Sequence, residues 1–283
     1  MERLASKQEV RQAVTEARRE GKRIALVPTM GSLHEGHLSL VRTASERADY
    51  TIVSVFVNPT QFGQGEDFAA YPRDLDRDID LLDAEGVDIV FAPTPEIMYA
   101  SDAQVTVDPG PLGRVLEGAV RPTHFTGVCT VVSKLLSIAL PDLAFFGEKD
   151  YQQLAVLRLM ARDLDIPVKI LGCPIIRECD GLALSSRNVY LSTEERAAAP
   201  VLYRALRTAE TLMLDGERDA RIVADAMRET VASEPLAQID YAEVVDARTL
   251  EPLRELDRLA RGLVAVRLGS TRLIDNIALE AGR

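Results

Sequence analysis

Two histidines that lie three positions apart, His34 and His37, are the residues best suited to chemistry in this sequence. They lie in the stretch PTMGSLHEGH, which follows a short apolar run at residues 24–27. Such a run predicts a buried strand, and the apolar residues that recur at helical spacing after His37 predict a helix that begins there. A helix N-terminus offers N–H groups and a partial positive charge, so imidazoles placed there could join the backbone in binding a polyphosphate.

The glycines beside the histidines fit the same hypothesis, because Gly31 and Gly36 let the main chain approach a nucleotide without an intervening Cβ. An imidazole in that setting can donate to the negative charge that develops when an α-phosphorus is attacked. Two alternatives stay open on these residues alone. Histidines three positions apart could bind a metal, although the third histidine, His124, is distant in sequence. They could also be ordinary surface residues at the start of a helix.

Strands and helices alternate along the chain around this motif. Apolar and β-branched runs predict strands at residues 24–27, 52–57, 87–92, 143–146 and 168–171. Helical spacing predicts a helix that stops at Gly86, a buried helix at residues 128–139 and another from about residue 152 to residue 164. This alternation is typical of an α/β fold with a doubly wound, Rossmann-like parallel sheet, which binds ligands where its strands end.

The pattern changes after Cys173. Ser192 and Glu195 fit a capping box that opens a long helical segment, and residues 222–231 are predicted to be helical. Residues 241–245 and 263–268 are predicted to form short antiparallel strands. We therefore predict two domains, a Rossmann-like nucleotide-binding domain of residues 1–175 and a second, smaller α+β C-terminal domain of residues 176–283.

Composition argues against several classes of function. The chain has 283 residues and a formal net charge of −11, and its densest basic stretch, residues 11–23, is interleaved with acidic residues. No nucleic-acid-binding surface is therefore predicted. No apolar run is long enough to span a membrane, and the start of the sequence lacks the apolar core of a signal peptide. Because the three cysteines include no CxxC pair, we expect a reducing compartment, most simply the cytoplasm.

Four sequence blocks, in this order, carry a family resemblance: PTMGSLHEGHLSLV at residues 28–41, NPTQF at 58–62, FGEKDYQQ at 146–153 and SSRN at 185–188. A strand followed by His-x-Gly-His at a helix start resembles the nucleotidyltransferase superfamily, which includes the class I aminoacyl-tRNA synthetases. Together the blocks resemble the pantothenate synthetase (pantoate–β-alanine ligase) family. That family more often has Met where this chain has Leu184, an exchange that conserves volume and apolar character.

The resemblance implies an ATP-dependent, AMP-forming ligase of pantothenate and coenzyme A biosynthesis. Pantoate would react with ATP to give pantoyl adenylate and pyrophosphate, and β-alanine would then displace AMP. The family also implies that Mg²⁺ bridges the ATP phosphates, with no protein ligand assigned to it, and that the protein is a homodimer. Residues 1–175 would bind the nucleotide and pantoate, and the domain of residues 176–283 would act as a lid that excludes water.

The resemblance also assigns residues to roles. The catalytic residues would be His37, His34 and Lys149. The ATP-binding residues would be Met30, Gly31, Ser32, Leu33, His34, Glu35, Gly36, His37, Gly147, Glu148, Lys149, Asp150, Ile176, Leu184, Ser185, Ser186 and Arg187. Pantoate and β-alanine would contact Gln61, Gln153 and Met30. Arg121, His124, Val131 and Val132 would lie close to the site.

The residue types suit these roles without proving them. Lys149 supplies a point charge for phosphate, and Asp150 can accept hydrogen bonds from ribose hydroxyls. On local sequence alone, a surface Lys-Asp pair, a polar turn at residues 185–188, a turn residue at Gln61 and an exposed helix residue at Gln153 remain open. Two other functions are weighed against a ligase: an adenylyltransferase of the same superfamily, and a nucleotide-sensing module without catalysis.

Overall fold

The computed structural model describes residues 1–280, which divide into two compact units. The first unit comprises Met1–Glu148 and Gln152–Pro174, and the second comprises Lys149–Tyr151 together with the chain from Ile175 onward. The sequence suggested a single division after residue 175. The structure additionally assigns Lys149–Tyr151, here called the lysine segment, to the second unit.

The first unit is built on a six-stranded parallel sheet. Its strands are β1 (Glu2–Leu4), β2 (Ile24–Thr29), β3 (Tyr50–Val55), β4 (Ile89–Phe91), β5 (Leu143–Gly147) and β6 (Lys169–Cys173). The spatial order is β1-β4-β3-β2-β5-β6, so the direction of winding reverses between β2 and β5. This reversal is the topological switch point of a doubly wound sheet. The predicted Rossmann-like fold is confirmed.

Helices cover both faces of this sheet. They are α1 (Lys7–Arg19), α2 (Glu35–Ser45), α3 (Leu75–Ala84), α4 (Pro95–Met98), α5 (Glu117–Val120), α6 (His124–Ala139) and α7 (Tyr151–Asp163). Ile24 and Leu26 of β2 belong to the apolar cluster that contains residues of α1, α6 and α7, whereas Ala25 and Val27 belong to the cluster that contains residues of α2 and α3. Burial on both faces explains why the strands are continuous apolar runs rather than alternating ones.

The second unit contains a three-stranded antiparallel sheet formed by β7 (Ala237–Asp246), β8 (Ala260–Leu268) and β9 (Thr271–Leu279). Its helices are α8 (Thr193–Ala198), α9 (Val201–Leu214) and α10 (Ala220–Ala232). The apolar faces of α9 and α10 share a core cluster with residues of the sheet. The predicted α+β class of this part of the chain is confirmed.

Two predicted helices need correction. The helix expected to begin at His37 begins at Glu35, because the side chain of His34 caps it. The predicted capping box of Ser192 and Glu195 is confirmed, but the long helix expected after it is divided into α8 and α9. Pro200 lies at the division, where its missing N–H cannot continue the hydrogen bonding of α8.

The strands β1 and β9 do not follow from the apolar pattern. β1 has only three residues, Glu2–Leu4, two of which are charged. β9 contains Asp275 and Asn276 side by side, and both are buried. A strand that buries polar residues lacks the alternation by which strands are recognised.

None of the helices within residues 1–280 combines the length and the apolar character needed to span a bilayer.

Candidate active site

His34 and His37 close the start of α2 with their own side chains. Nδ1 of His34 accepts a hydrogen bond from the N–H of Gly36 at 3.1 Å, and Nδ1 of His37 accepts one from the N–H of His34 at 3.4 Å. The two ring centroids are 4.1 Å apart. A ring nitrogen that accepts a hydrogen bond carries no proton, so both bonds place the imidazole proton on Nε2. Each ring can therefore offer an Nε2–H donor.

The backbone N–H groups of this turn are largely occupied. Those of His34 and Gly36 donate to the imidazoles, and those of His37 and Leu38 donate to the carbonyl oxygen of His34 at 2.8 and 3.1 Å. The sequence suggested that backbone and rings would share a bound phosphate. In the structure, the donors for a bound phosphate would be mainly the two Nε2–H groups rather than the backbone. The partial positive charge of the helix start remains.

The residues before the histidines have an unusual backbone conformation. Gly31 and Ser32 have φ angles of 79° and 51°, in the left-handed region that favours glycine. Their geometry brings the N–H groups of Ser32 and Leu33 to the carboxylate of Asp78 in α3, each at 2.8 Å. A Cβ atom on Gly31 would lie 2.9 Å from Oδ2 of Asp78. Residues 30–37, here called the histidine loop, are thus held by a carboxylate distant in sequence.

Two of the predicted nucleotide-binding residues in this loop have side chains that are engaged elsewhere. Leu33 is buried in the apolar core, and its carbonyl oxygen accepts from Arg77 at 3.1 Å. Glu35 is exposed and forms an ion pair with Arg42. Leu33 therefore supports the loop, and the Glu35 carboxylate belongs to a surface ion pair.

The histidine loop lies at the switch point of the sheet. β2 and β5 pair only at Ala25 with Leu143 and at Leu26 with Ala144, although β2 continues to Thr29 and β5 to Gly147. The unpaired ends of the two strands leave an opening, which in doubly wound sheets is where ligands bind. The histidine loop follows β2, and the predicted residues Gly147 and Glu148 stand at the end of β5.

Gln61 and Met30 meet in this unit although they are 31 positions apart. Nε2 of Gln61 lies 2.7 Å from Sδ of Met30, and Oε1 of Gln61 accepts from Nδ2 of Asn58 at 3.2 Å. The hydroxyl of Tyr99 donates to Oδ1 of Asn58 at 2.7 Å. These bonds fix which end of the Gln61 carboxamide donates. The structure thus brings together two of the three side chains predicted to contact pantoate.

Arg121 and His124 hold the backbone of the same turn. Nη2 of Arg121 and Nδ1 of His124 lie 3.3 and 2.9 Å from the carbonyl oxygen of Gln61. Burial lowers the pKa of His124 to about 4, and the charge of Arg121 adds to the effect. His124 is therefore neutral near pH 7, and its Nδ1–H donates to Gln61. Arg121 also binds both carboxylate oxygens of Glu66, at 2.7 and 2.6 Å.

α6 packs closely against the turn that carries Gln61. Nδ2 of Asn58 donates to the carbonyl oxygen of Gly127 at 3.2 Å. A Cβ atom on Gly127 would lie 2.2 Å from the carbonyl oxygen of Thr60, so the contact requires glycine. Val131 and Val132, predicted to lie near the site, are buried in the core about one turn further along α6.

Neighbouring glutamines in α7 have different environments. Gln152 is buried: its Oε1 accepts from the N–H of Glu117 at 3.0 Å, and its Nε2 donates to the carbonyl oxygens of Leu112 and Val115 at 2.9 and 2.8 Å. Gln153 is half-buried, and within residues 1–280 its carboxamide forms no hydrogen bond. Gln152 is thus a structural residue, whereas the carboxamide of Gln153 is available to a ligand.

The second unit carries Lys149 and Asp150. Nζ of Lys149 lies 3.9 Å from the carboxylate of Asp150. The carbonyl oxygen of Lys149 accepts from Nδ2 of Asn276 at 2.9 Å, and Oδ1 of Asn276 accepts from Nε of Arg261 at 2.7 Å. Asn276 is 1% exposed. A buried carboxamide in β9 therefore fixes the backbone of the predicted catalytic lysine.

A turn in the second unit brings Ile176 next to the predicted ATP-binding block of residues 184–187. The N–H of Leu184 donates to the carbonyl oxygen of Ile176 at 2.9 Å. Oγ of Ser185 accepts from the N–H of Arg187 at 3.2 Å and caps a 3-10 helix at Ser186–Tyr190. Ile176 and residues 184–187, all predicted to bind ATP, are thus neighbours in this unit.

The alternative that His34 and His37 bind a metal can be compared with the structure. Among residues 1–280, no group of three or more His, Cys, Asp or Glu side chains is arranged to hold a metal ion. His34 and His37 direct Nδ1 to backbone N–H groups instead. No protein-held metal centre is assigned within the described residues.

Comparison with known proteins places this geometry in a family. The family model described as pantoate-beta-alanine ligase matches residues 2–278. The chain belongs to the pantoate–β-alanine ligase family. A pantothenate synthetase of Rubrobacter xylanophilus is 57% identical over 284 residues, which cover 98% of each chain. One of a Thermoanaerobacter species is 52% identical and covers 95% of each chain.

Solved structures of this ligase family have the same fold. The crystal structure of pantothenate synthetase from Thermus thermophilus has a TM-score of 0.95 and 47% identity, covering 99% of this chain and 100% of that one. A ligase from Francisella tularensis, complexed with beta-gamma ATP and β-alanine, has a TM-score of 0.82 and 33% identity, covering 100% and 99%. These matches confirm the family predicted from the four blocks, and with it the enzyme class, a ligase that joins pantoate to β-alanine.

Several residues that support this ligase site lie outside the predicted set. Asn58 lies in the NPTQF block but has no predicted role, and Tyr99 and Asn276 have no local motif around them. Asp78 does have a recognisable pattern: it falls between Leu75 and Leu82 on the apolar face of α3, where a carboxylate is unusual. A buried acid on an apolar helix face is a feature that sequence inspection could have detected.

Proposed function

We propose that the chain joins pantoate to β-alanine in two steps. A carboxylate oxygen of pantoate attacks the α-phosphorus of ATP, and pyrophosphate leaves with formation of pantoyl adenylate. The neutral amine of β-alanine then attacks the acyl carbon, AMP leaves, and the nitrogen loses a proton as the amide of pantothenate forms. Adenylation is needed because a free carboxylate is a poor acylating agent.

The observation that carries the proposal is the pair of imidazoles at the start of α2. Their Nδ1 atoms accept from backbone N–H groups, so each ring presents an Nε2–H donor beside a helix start. We assign to His37 the hydrogen bond that strengthens as charge develops on the α-phosphate, with His34 and Lys149 as electrostatic partners. Donors fixed before the reaction need no reorganisation during it.

Met30, Gln61 and Gln153 are the proposed contacts of pantoate and β-alanine. A carboxamide donates and accepts at once, which suits an acid that also carries hydroxyl groups. The hydrogen bond from Asn58 to Gln61 and the unbonded carboxamide of Gln153 within residues 1–280 support this assignment. The F. tularensis relative, which was crystallised with β-alanine, supports a β-alanine site in the family.

The remaining ATP contacts are carried over from the family blocks. Lys149 would bind phosphate and Asp150 the ribose, the backbone at Ile176 would meet adenine, and residues 184–187 would bind pyrophosphate. Gly31, Ser32, Leu33, Glu35, Gly36, Gly147 and Glu148 would line the path of the nucleotide. Residues 1–175 would then form the nucleotide- and pantoate-binding domain, and residues 176–283 would form a lid that protects the adenylate from water.

Mg²⁺ is proposed to arrive bound to the ATP phosphates, as the family resemblance implies. When bound, it would neutralise phosphate charge and make pyrophosphate a better leaving group. Two further proposals rest on the family resemblance and on composition: the protein is a homodimer, and it works in the cytoplasm. Light scattering of the purified chain tests the first, and cell fractionation tests the second.

The deciding experiment measures pyrophosphate and AMP from ATP and pantoate, with and without β-alanine. Without the amine, we expect one equivalent of pyrophosphate per site, because pantoyl adenylate stays bound. With the amine, we expect continuous release and AMP equal to the amide formed. Continuous pyrophosphate release that does not depend on β-alanine and yields neither AMP nor amide would instead indicate an adenylyltransferase.

A further inference from the structure

Asp78 is a buried carboxylate in α3 that no motif explains. It is 1% exposed, and its two oxygens accept from the N–H groups of Ser32 and Leu33, each at 2.8 Å. Arg77, next to it in the chain, donates from Nη1 to the carbonyl oxygen of Leu33 at 3.1 Å. Two consecutive residues of α3 thus bind the backbone of the histidine loop.

The backbone that Asp78 holds is strained. Ser32 has a φ of 51°, a left-handed conformation that is unfavourable for a residue other than glycine. Such a conformation persists only where the surroundings impose it. Gly31, with a φ of 79°, leaves the space that the Asp78 carboxylate fills. The successive N–H groups of this turn form a concavity suited to an anion, and here the anion is a side chain of the protein itself.

Burial of the Asp78 carboxylate carries a cost that an apolar side chain would not. Burial raises the pKa of Asp78, and the N–H groups of Leu33 and Ser32 offset this in part. A buried charge is a costly way to stabilise a fold, and an apolar residue between Leu75 and Leu82 would serve the core of α3 better. The side chain is 1% exposed and both of its oxygens bond to the loop, so its hydrogen bonds are directed at the loop backbone.

We propose that Asp78 is a positioning residue, which holds the histidine loop in the conformation that presents Nε2–H of His34 and His37 to ATP. The inference rests on the proposed role of these histidines and adds a residue outside the four family blocks. The contact of Asp78 with Leu33 is close to the histidines along the chain, because only one residue lies between Leu33 and Glu35, where α2 begins. A displaced Leu33 would shift the His34 cap and the His37 ring that bonds to it.

The test uses Asp78→Asn in the full chain, with Asp80→Asn as the matched control on the exposed side of the same helix. An asparagine keeps one acceptor and turns an NH₂ group towards the other loop N–H. Pyrophosphate release from ATP and pantoate is measured per folded molecule at 25 °C, with circular dichroism as the check on folding. Hydrogen exchange of the peptide that contains Ser32 and Leu33 is measured alongside.

For Asp78→Asn we expect release to slow by about tenfold to a hundredfold, since misplacement by about 1 Å has effects of that size. Faster exchange should be confined to residues 30–37. For Asp80→Asn both quantities should match the wild type. His37→Ala serves as the reference for the proposed function. If His37→Ala is slow while folded Asp78→Asn keeps the wild-type rate, the positioning role is wrong and the function stands.

If His37→Ala itself keeps the wild-type rate, the role of the loop in the proposed function fails, which is a different outcome. A measurement on the wild type covers the case in which Asp78→Asn does not fold. The amides of Ser32 and Leu33 should then be protected in the ligand-free protein, because they bond to a buried carboxylate. Exchange of both amides at the rate of an unstructured peptide would overturn the proposal.

Discussion

The histidine loop and the lysine segment follow neighbouring strands, β2 and β5, but different parts of the molecule hold them. The histidine loop is held within the first unit, by its own imidazole caps and by Asp78. The lysine segment is held within the second unit, where Asn276 binds the carbonyl oxygen of Lys149. The hydroxyl of Tyr151 donates to the carbonyl oxygen of Ala247 at 2.8 Å.

A loop at the end of a strand is therefore not supported by its strand alone. In each case a polar side chain from a distant element, buried and fully engaged, bonds to the backbone beside a proposed catalytic residue. Because Asp78 and Asn276 bond to different residues, their effects on the rate should be independent, and a variant that changes both should show roughly the product of the single effects.

The largest effect is expected from removing the proposed catalytic side chain of the histidine loop. His37→Ala removes the proposed donor to the α-phosphate, and loss of one such donor slows reactions by about a hundredfold to a thousandfold. Pyrophosphate release should fall accordingly, while the pantoate KM changes by only about threefold or less, because the bond strengthens in the transition state. Glu46→Gln, exposed at the other end of α2, should match the wild type. A near-normal rate for His37→Ala would remove the catalytic role assigned here.

A smaller effect is expected from breaking the support of the lysine segment. Asn276→Asp keeps an acceptor for Arg261 but loses the donor to the Lys149 carbonyl oxygen, which then faces a carboxylate. We expect pyrophosphate release to slow by about tenfold and the free energy of unfolding to fall by about 2 kcal/mol. Exchange should rise in the lysine segment and not in the histidine loop.

Gln238→Glu makes the same change of charge on an exposed residue of the same sheet and serves as the control. Equal exchange changes in the two loops would contradict the separate supports.

Gln152 and Gln153 follow the lysine segment, and replacing each should affect a different property, stability in one case and pantoate binding in the other. Gln153→Ala should raise the pantoate KM by about tenfold with little change in stability, because its carboxamide has no partner within residues 1–280. Gln152→Ala should lower the free energy of unfolding by about 1 to 3 kcal/mol, because it removes hydrogen bonds to a buried N–H and to two carbonyl oxygens. Urea titrations and pantoate saturation curves give both quantities, and a reversed pattern would exchange the two roles.

The smallest effect concerns pH and the turn that carries Gln61. The pKa of His124 is about 4 in the folded protein, against an ordinary value of 6.5, so between these values the unfolded chain binds a proton that the folded protein does not. Stability should therefore fall as the pH is lowered from 7.5 to 5.5, by about 1 kcal/mol from this group. His124→Asn retains a donor for Gln61 and should lose that part of the pH dependence. Equal dependence in both proteins would mean that His124 titrates normally.

Much of the fold follows from local sequence. The runs at residues 24–27 and 143–146 are bounded and apolar, because the strands they form are buried on both faces. The sequence does not reveal β9, because Asp275 and Asn276 interrupt its apolar pattern in order to bind Arg177 and Lys149. It also places the start of α2 two residues late, because a histidine is an uncommon cap.

The four ordered blocks of the sequence identified the family, and they contain the residues proposed to carry the chemistry, namely the histidines, the lysine and two glutamines. The tertiary structure alone decided what holds them. Asp78 bonds to Leu33 across 45 positions, and Asn276 bonds to Lys149 across 127. Hydrogen bonds over such separations leave no periodicity in a sequence. The apolar spacing of α3 marks Asp78 as buried, but only the packing of α3 and β9 shows which backbone groups Asp78 and Asn276 bind.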